Sequence, residues 1–236
     1  MLSKVKSFGL NGIEGFLTQI ETDMVGGVPH FEIVGLGDAA VKESKDRVKA
    51  AIRNSGLEFP VKSYTINLAP ADTKKEGPLF DLGIAVGILA ASEQITTKKY
   101  KDFIFLGELS LDGSIKKVKG VLPILISARS EGYTKFVVPV ENAEEASFIS
   151  GIEVYALKNL REVVGFLNNE FECDMVNTKS FEEVSKLSAN KLDFENVKGQ
   201  FVAKRALEIA AAGVEILSIQ DSIFSNAFIN VVISFG

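Results

Sequence analysis

The stretch KKEGPLFDLGIAVGILAAS, residues 74–92, sets two lysines and an acid before a Gly-Pro turn, and Asp81 is the only charge after that turn. An apolar run with so little periodic polarity reads as a helix buried on every side, not as an amphipathic surface helix. A charged loop feeding such a helix is either the rim of an active site or a turn entering the core. Asp81 falls in the first turn, where a carboxylate favours the helix dipole, so a capping role is expected of it.

Outward from this stretch the pattern is a mixture of strands and helices. Upstream, KSYTINLAP (62–70) alternates Tyr64, Ile66 and Leu68 with polar residues, as a half-buried strand does. Before it, DAAVKESKDRVKAAIRNSG (38–56) places Val41, Val48, Ala51 and Ile52 on one helical face and Lys42, Glu43, Asp46, Lys49 and Arg53 on the other. Asp38 is its expected N-cap and Gly56 its stop. Residues 4–36 read as three hairpin-connected strands. Downstream, FIFLGELSLDGSIKKV (103–118) reads as two strands joined through Asp112-Gly113, a dipeptide suited to tight hairpins. VLPILISARSEG, KFVVPV, ENAEEASFIS, GIEVYAL and NLREVVGFLN then read as helix, strand, helix start, strand and helix. Residues 170–192 are polar with weak periodicity, as expected of a linker.

The 236 residues are 46% hydrophobic and 24% charged, enough for one or two folded domains. A net charge of −5 gives no global attraction to phosphate backbones, so any DNA contact would be local. The basic runs Lys98-Lys99-Tyr100-Lys101 and Lys116-Lys117-Val118-Lys119 are expected to be solvated loops. Cys173 is the single cysteine, which excludes an intrachain disulfide and a Cys-rich zinc site and fits a reducing cytoplasm. The N-terminus lacks a signal-peptide core, and no segment is apolar enough to span a membrane.

Few constellations promise chemistry. Gly35-Leu36-Gly37-Asp38-Ala39-Ala40 has the G-x-G-x-x-A form of a dinucleotide loop, yet Asp38 would put a carboxylate where a pyrophosphate belongs. A strand-to-helix turn is the expected reading. His30, the only histidine, has no sequence signature linking it to a serine or to Cys173. Without clustered ligands, no metal site is visible, which also argues against a metal-handling factor.

Two stretches together resemble a known family. LGELSLDGSIKKVKGVLPILISARSEGYTKFVVPVENAEEA (106–146) resembles the second half of the Lon-protease catalytic domain, and NLAPADTKKEGPLFDLGIAVGILAAS (67–92) the segment before it. VGLGDAAVKESKDRVKAAIRNSG, the EGPLFDL loop and VKGQFVAKRALEIAAAG resemble more closely still the N-terminal domain of the ComM (YifB) group of magnesium-chelatase-like AAA+ proteins, over residues 1–213. The resemblance implies an α+β fold, an α/β mix of the Lon proteolytic-domain-like or ribosomal protein S5 domain 2-like kind, followed by the helical start of a AAA+ module. It implies a Lon-like domain over 1–169, a linker over 170–192, the beginning of the ATPase domain over 193–213 and an atypical tail over 214–236. A frameshift or truncation before the Walker A loop is the expectation for that tail.

Carried over residue by residue, the Lon resemblance puts Leu79 at the position of the nucleophilic serine and Leu122 at that of the general-base lysine. Leucine offers neither a hydroxyl to attack with nor an amine to take the proton, so this dyad is degenerate. The adenine-side motif of AAA+ proteins remains as Val197, Lys198, Gly199 and Gln200, without a Walker A sequence after Gly213. The resemblance therefore implies no cofactor in this chain, with ATP and Mg bound only by full-length members. Those members are hexameric ATPases of DNA branch migration in natural transformation, which implies self-association and DNA contact through the motor. The expected function is a non-catalytic accessory domain of such a machine. The alternative is a Lon-like peptidase whose nucleophile has moved, drawing on Ser92, Ser110 or Ser114 and on Lys116, Lys117 or Lys119.

Overall fold

The computed structural model describes residues 1–179 and, beyond them, Gly199, Phe201, Lys204 and Arg205. The chain divides into two units, Met1–Val184 and Ser185–Gly236, and the sheet with its helices belongs to the first. The expected AAA+ start at 193–213 and the tail at 214–236 fall outside the described residues except at those four positions.

The three expected N-terminal strands form, β1 (Leu2–Asn11), β2 (Glu14–Val25) and β3 (His30–Val34), but only the first two are a hairpin: β3 is separated from β2 in the sheet by a later strand, with which it pairs in parallel. β1 and β2 make a long hairpin whose register runs from Leu2 opposite Asp23 to Asn11 opposite Glu14. Helix α1 (Ala39–Asn54) and strand β4 (Ser63–Ala69) follow, then helix α2 (Asp81–Ala91). The segment expected to hold two strands holds three: β5 (Ile104–Phe105), β6 (Glu108–Leu109) and β7 (Ile115–Lys116). The Asp-Gly hairpin joins β6 to β7, whereas β5 joins the main sheet between β1 and β8. The chain closes with α3 (Val121–Ser130), β8 (Lys135–Pro139), α4 (Ala143–Ala146), β9 (Glu153–Leu157) and α5 (Leu160–Leu167).

Seven strands lie in the order β3-β4-β2-β1-β5-β8-β9. Pairing is antiparallel between β1 and β2 and between β2 and β4, and parallel elsewhere, so the fold is mixed α/β with a mostly parallel sheet. Because side chains alternate across a strand, one face of the β1–β2 hairpin receives α2 and the other receives α3. Every residue of α2 is buried, as its unbroken hydrophobicity requires. Gly83 and Gly87 let its backbone approach the sheet: a Cβ on Gly83 would stand 2.6 Å from Ile20 Cδ1, and one on Gly87 2.6 Å from Thr22 Oγ1. Ser3 Oγ uses that closeness to donate to the Gly87 carbonyl at 2.7 Å. On the opposite face Gly15 N donates to Ser127 Oγ of α3 at 2.9 Å.

The expected linker is not free at its start. Residues 170–179 run along the outer edge of β9, where Val176 N donates to Val154 O at 2.8 Å and Met175 bridges to Tyr155. Cys173 and Val176 pack against the core, and that contact, invisible to a composition reading, holds the segment down. Residues 180–192 lie outside the described residues. Among the described residues no helix is long and apolar enough to cross a membrane.

Candidate functional site

The 74–81 loop is built against the turn that follows β3. Gly35 has φ +103°, and a Cβ there would meet Leu68 O at 2.2 Å, so only glycine lets β3 turn beside β4. The turn then zips to the loop: Lys75 N donates to Leu36 O and Asp38 N to Lys75 O, each at 3.0 Å. Asp38 caps α1 as expected, its Oδ1 accepting from Val41 N at 2.8 Å. Its Oδ2 accepts from Gly77 N at 3.1 Å. The G-x-G-x-x-A turn therefore presents a carboxylate where a phosphate cradle needs free N–H groups, and does not fit a nucleotide.

Lys75 is wholly buried, and its Nζ donates to the carbonyls of Pro70 and of Thr73, the latter at 2.8 Å. Burial pushes its pKa below the ordinary lysine value. Lys74, by contrast, is exposed and pairs with Glu76 at 2.6 Å. Of the two lysines in the loop, one is a structural clasp and the other faces water.

Leu79 sits in a single 3₁₀ turn, Pro78–Phe80, with its side chain buried in the core. Its carbonyl accepts from Gly107 N, and Gly107 O accepts from Leu82 N, both at 3.0 Å, which ties the turn to the strand region after β5. Leu122 is the second residue of α3, packed partly against the core, with its backbone N donating to Glu145 Oε1 at 2.9 Å. Leu79 and Leu122, the positions expected for a dyad, thus both pack against the core, and neither side chain can accept or transfer a proton.

Asp81 does not cap α2. The helix begins without a side-chain cap, and the fully buried carboxylate turns to α1 instead. Arg47 Nε donates to Oδ2 at 2.8 Å and Arg47 Nη2 to Oδ1 at 3.2 Å. Ser44 Oγ donates to Oδ1, and Leu109 N donates to Oδ2 at 3.2 Å. Burial, the larger effect, raises the Asp81 carboxyl pKa while these donors pull it down, and the hydrogen bonds Arg47 donates to Asp81 raise the pKa of Arg47. Every partner is a donor, the arrangement an ionised carboxylate needs, so we assign the pair as charged at neutral pH.

Sequence reading missed Arg47, Ser44 and Asn142. Ser44 stands in register with Val41 and Val48 on the buried face of α1, so helical periodicity held the signal. Buried Asn142 makes a two-way clasp, accepting from Val118 N at 3.0 Å and donating to Val118 O at 2.9 Å, and also donates to Glu145 Oε2 at 3.0 Å. It anchors the chain entering α3 to the start of α4, and nothing local in the sequence marks it.

The remaining candidates stand apart. Ser114 Oγ donates to Asp112 Oδ1 at 2.7 Å within the β6–β7 turn, and Ser92 Oγ to Leu89 O at 3.3 Å at the end of α2. Ser110 opens the same β6–β7 turn, its N donating to Ser114 O at 2.9 Å. Lys116 lies on β7 opposite Glu108. Exposed His30 faces Glu32 at 3.5 Å on the edge strand β3. Burial raises the Cys173 thiol pKa, the opposite of activation. Of the adenine-side motif only Gly199 is described, exposed and with φ +71°; Val197, Lys198 and Gln200 lie outside the described residues. Among the described residues no three His, Cys, Asp or Glu side chains converge to hold a metal ion.

The arrangement has counterparts among known proteins. Competence protein ComM of Haemophilus influenzae is 41% identical over 213 residues, covering 90% of this chain and 42% of that protein. Protein YifB of Escherichia coli is 39% identical over 212 residues, covering 90% of this chain and 41% of its own length. Lon protease 2 of Bacillus subtilis is 31% identical over 124 residues, 52% of this chain and 22% of the protease. The chain thus spans about two-fifths of the length of ComM and YifB. The family model described as subunit ChlI of Mg-chelatase matches residues 20–142, just over half of the chain, from the middle of β2 to Asn142. The 74–81 loop, the buried helix α2 and the Lys75 and Asn142 clasps all fall in that span, and the chain belongs to the ChlI family of Mg-chelatase subunits.

Proposed function

We propose that the chain is the non-catalytic accessory and assembly domain of a magnesium-chelatase-like AAA+ ATPase of the ComM type. In this reading the first unit has the Lon proteolytic-domain-like, ribosomal protein S5 domain 2-like fold. Its whole-protein context is a hexameric, cytoplasmic motor of DNA branch migration. ATP and Mg bind the motor, which also contacts DNA, and this domain holds the neighbours of the ring.

One observation carries the proposal: the loop and helix that would mount a Lon-like serine are kept, while the reactive positions hold Leu79, buried in the core, and Leu122, half-buried against it. A scaffold kept without its nucleophile and base serves packing and contact, not hydrolysis. The test is incubation of the purified chain with fluorescein-labelled casein, with and without ATP and Mg. No hydrolysis is expected. Hydrolysis that Ser110→Ala or Ser114→Ala abolishes would overturn the proposal in favour of a displaced nucleophile.

A further inference from the structure

The exposed side of α1 carries Lys45, Lys49 and Arg53 at four-residue spacing. Such residues stand above one another about 6 Å apart on the helix surface. Like charges at this spacing cost helix stability, and the sequence bears that cost in a chain whose net charge is −5. Arg47, close by, is engaged with Asp81 and Glu43. Lys45, Lys49 and Arg53 form no salt bridge with a described carboxylate.

The stripe runs into a notch of about 160 Å³ at the β3 edge of the sheet, where Lys49 and Arg53 meet Lys62, His30 and Phe59. Phe59 packs on Tyr64 with ring centroids 4.9 Å apart, and Tyr64 is buried, so the floor of the notch rests on the core. The Lys49 ammonium and the Arg53 guanidinium lie 6.0 and 5.8 Å from the centre of the Phe59 ring, held near it before any ligand arrives. Val61, at the rim, is 77% exposed. Glu58 and Glu32 are acids beside the notch, Glu32 facing His30, and exposed Asp46 stands one turn from Lys49 on α1.

We propose that this stripe and notch bind single-stranded nucleic acid, with phosphates on Lys45, Lys49, Arg53 and Lys62 and a base against the aromatic and apolar floor. Cations that track a backbone beside an aromatic surface are the physical requirements for binding a strand without reading its sequence. The row is one helix face wide, which suits one strand. The inference goes beyond the accessory role and does not depend on whether the domain hydrolyses peptides.

Fluorescence anisotropy of a labelled twenty-nucleotide oligothymidine, titrated with the 236-residue chain at several salt concentrations, tests it. Binding is expected to weaken as salt rises. The double variant Lys49→Gln/Arg53→Gln should lose about tenfold in affinity at low salt and flatten the log–log salt slope by about 1.4, because each phosphate contact on a single strand contributes about 0.7. Phe59→Leu should weaken binding about fivefold with the slope unchanged. Lys98→Gln/Lys101→Gln, at a separate exposed basic run, should match the parent. Circular dichroism melts check that the surface variants remain folded. Binding unaffected by Lys49→Gln/Arg53→Gln, or absent at low salt, overturns the proposal. Equal affinity for a duplex overturns the single-strand assignment, and equal displacement by polyglutamate at matched charge overturns it in favour of an acidic protein partner.

Discussion

Helices α1 and α2 each begin at an aspartate, and the two carboxylates do different things. Asp38 stays with its own helix, accepting from Val41 N, and reaches sideways to Gly77. Asp81 leaves its helix uncapped and binds Arg47 and Ser44 of α1 and Leu109 of β6. Asp38 lies where water reaches the turn, so a local cap satisfies it; Asp81 is sealed in the core, and a charge there must find a cation. Between them they fasten α1 to both ends of the 75–81 loop. What looks like one motif used twice is a cap in one place and a tertiary bolt in the other.

The largest expected break of this comparison comes from Arg47→Ala, which leaves the Asp81 carboxylate buried without its cation and should cost about 3–5 kcal/mol in denaturant unfolding. A loss below about 1 kcal/mol would mean the carboxyl is neutral in the folded state. Lys75→Met strands the Pro70 and Thr73 carbonyls beside an apolar side chain and should cost about 1–3 kcal/mol by the same measurement. Asp38→Ala should cost about 1 kcal/mol, the usual worth of a cap, and raise amide exchange at Val41 and Gly77 alone. Spread of that exchange into α2 would show the two helix starts to be a single unit.

The smallest effect concerns a carboxylate outside the core. Glu21 on β2 accepts from Lys4 at 2.7 Å and from Asn67 at 3.0 Å, and these donors hold its pKa below the ordinary glutamate value. A depressed folded-state pKa contributes stability that is present above pH 4.5 and is lost as pH falls through the lower folded value. Glu21→Gln should therefore lower the neutral plateau of a stability–pH curve slightly and flatten its acid limb, so that variant and parent converge at low pH. An unaltered acid limb would show that Lys4 and Asn67 do not hold the charge.

The same contrast marks how far the sequence could be read. Features closed within a few residues were legible: the Asp38 cap, the Asp112-Gly113 hairpin, the alternation of β1 to β4 and the buried helix in GIAVGILAAS. Features that need a distant partner were not. Asp81 resembled a cap because Arg47 lies 34 residues upstream. The split of β5 from β6 depends on Gly107 pairing with Leu79 and Leu82, and nothing in FIFLGELS announces it. Residues 170–179 read as a linker because Cys173 and Val176 find the core only once β9 is in place. The family resemblance pointed to Leu79 and Leu122, and geometry added where the two side chains go.

The strip of chain along β9 has a consequence for solubility. A sheet offers unpaired N–H and C=O groups at both margins, and each margin is a template for a stray strand. Here one margin is engaged by the chain's own Val176 at Val154, while β3 ends the sheet at the other with His30 and Glu32 exposed. Among the described residues, strand addition through this sheet is therefore open along β3 and opposed at Val154 and Tyr155 on β9. Two copies meeting edge to edge at β3 would each cover the other's open margin.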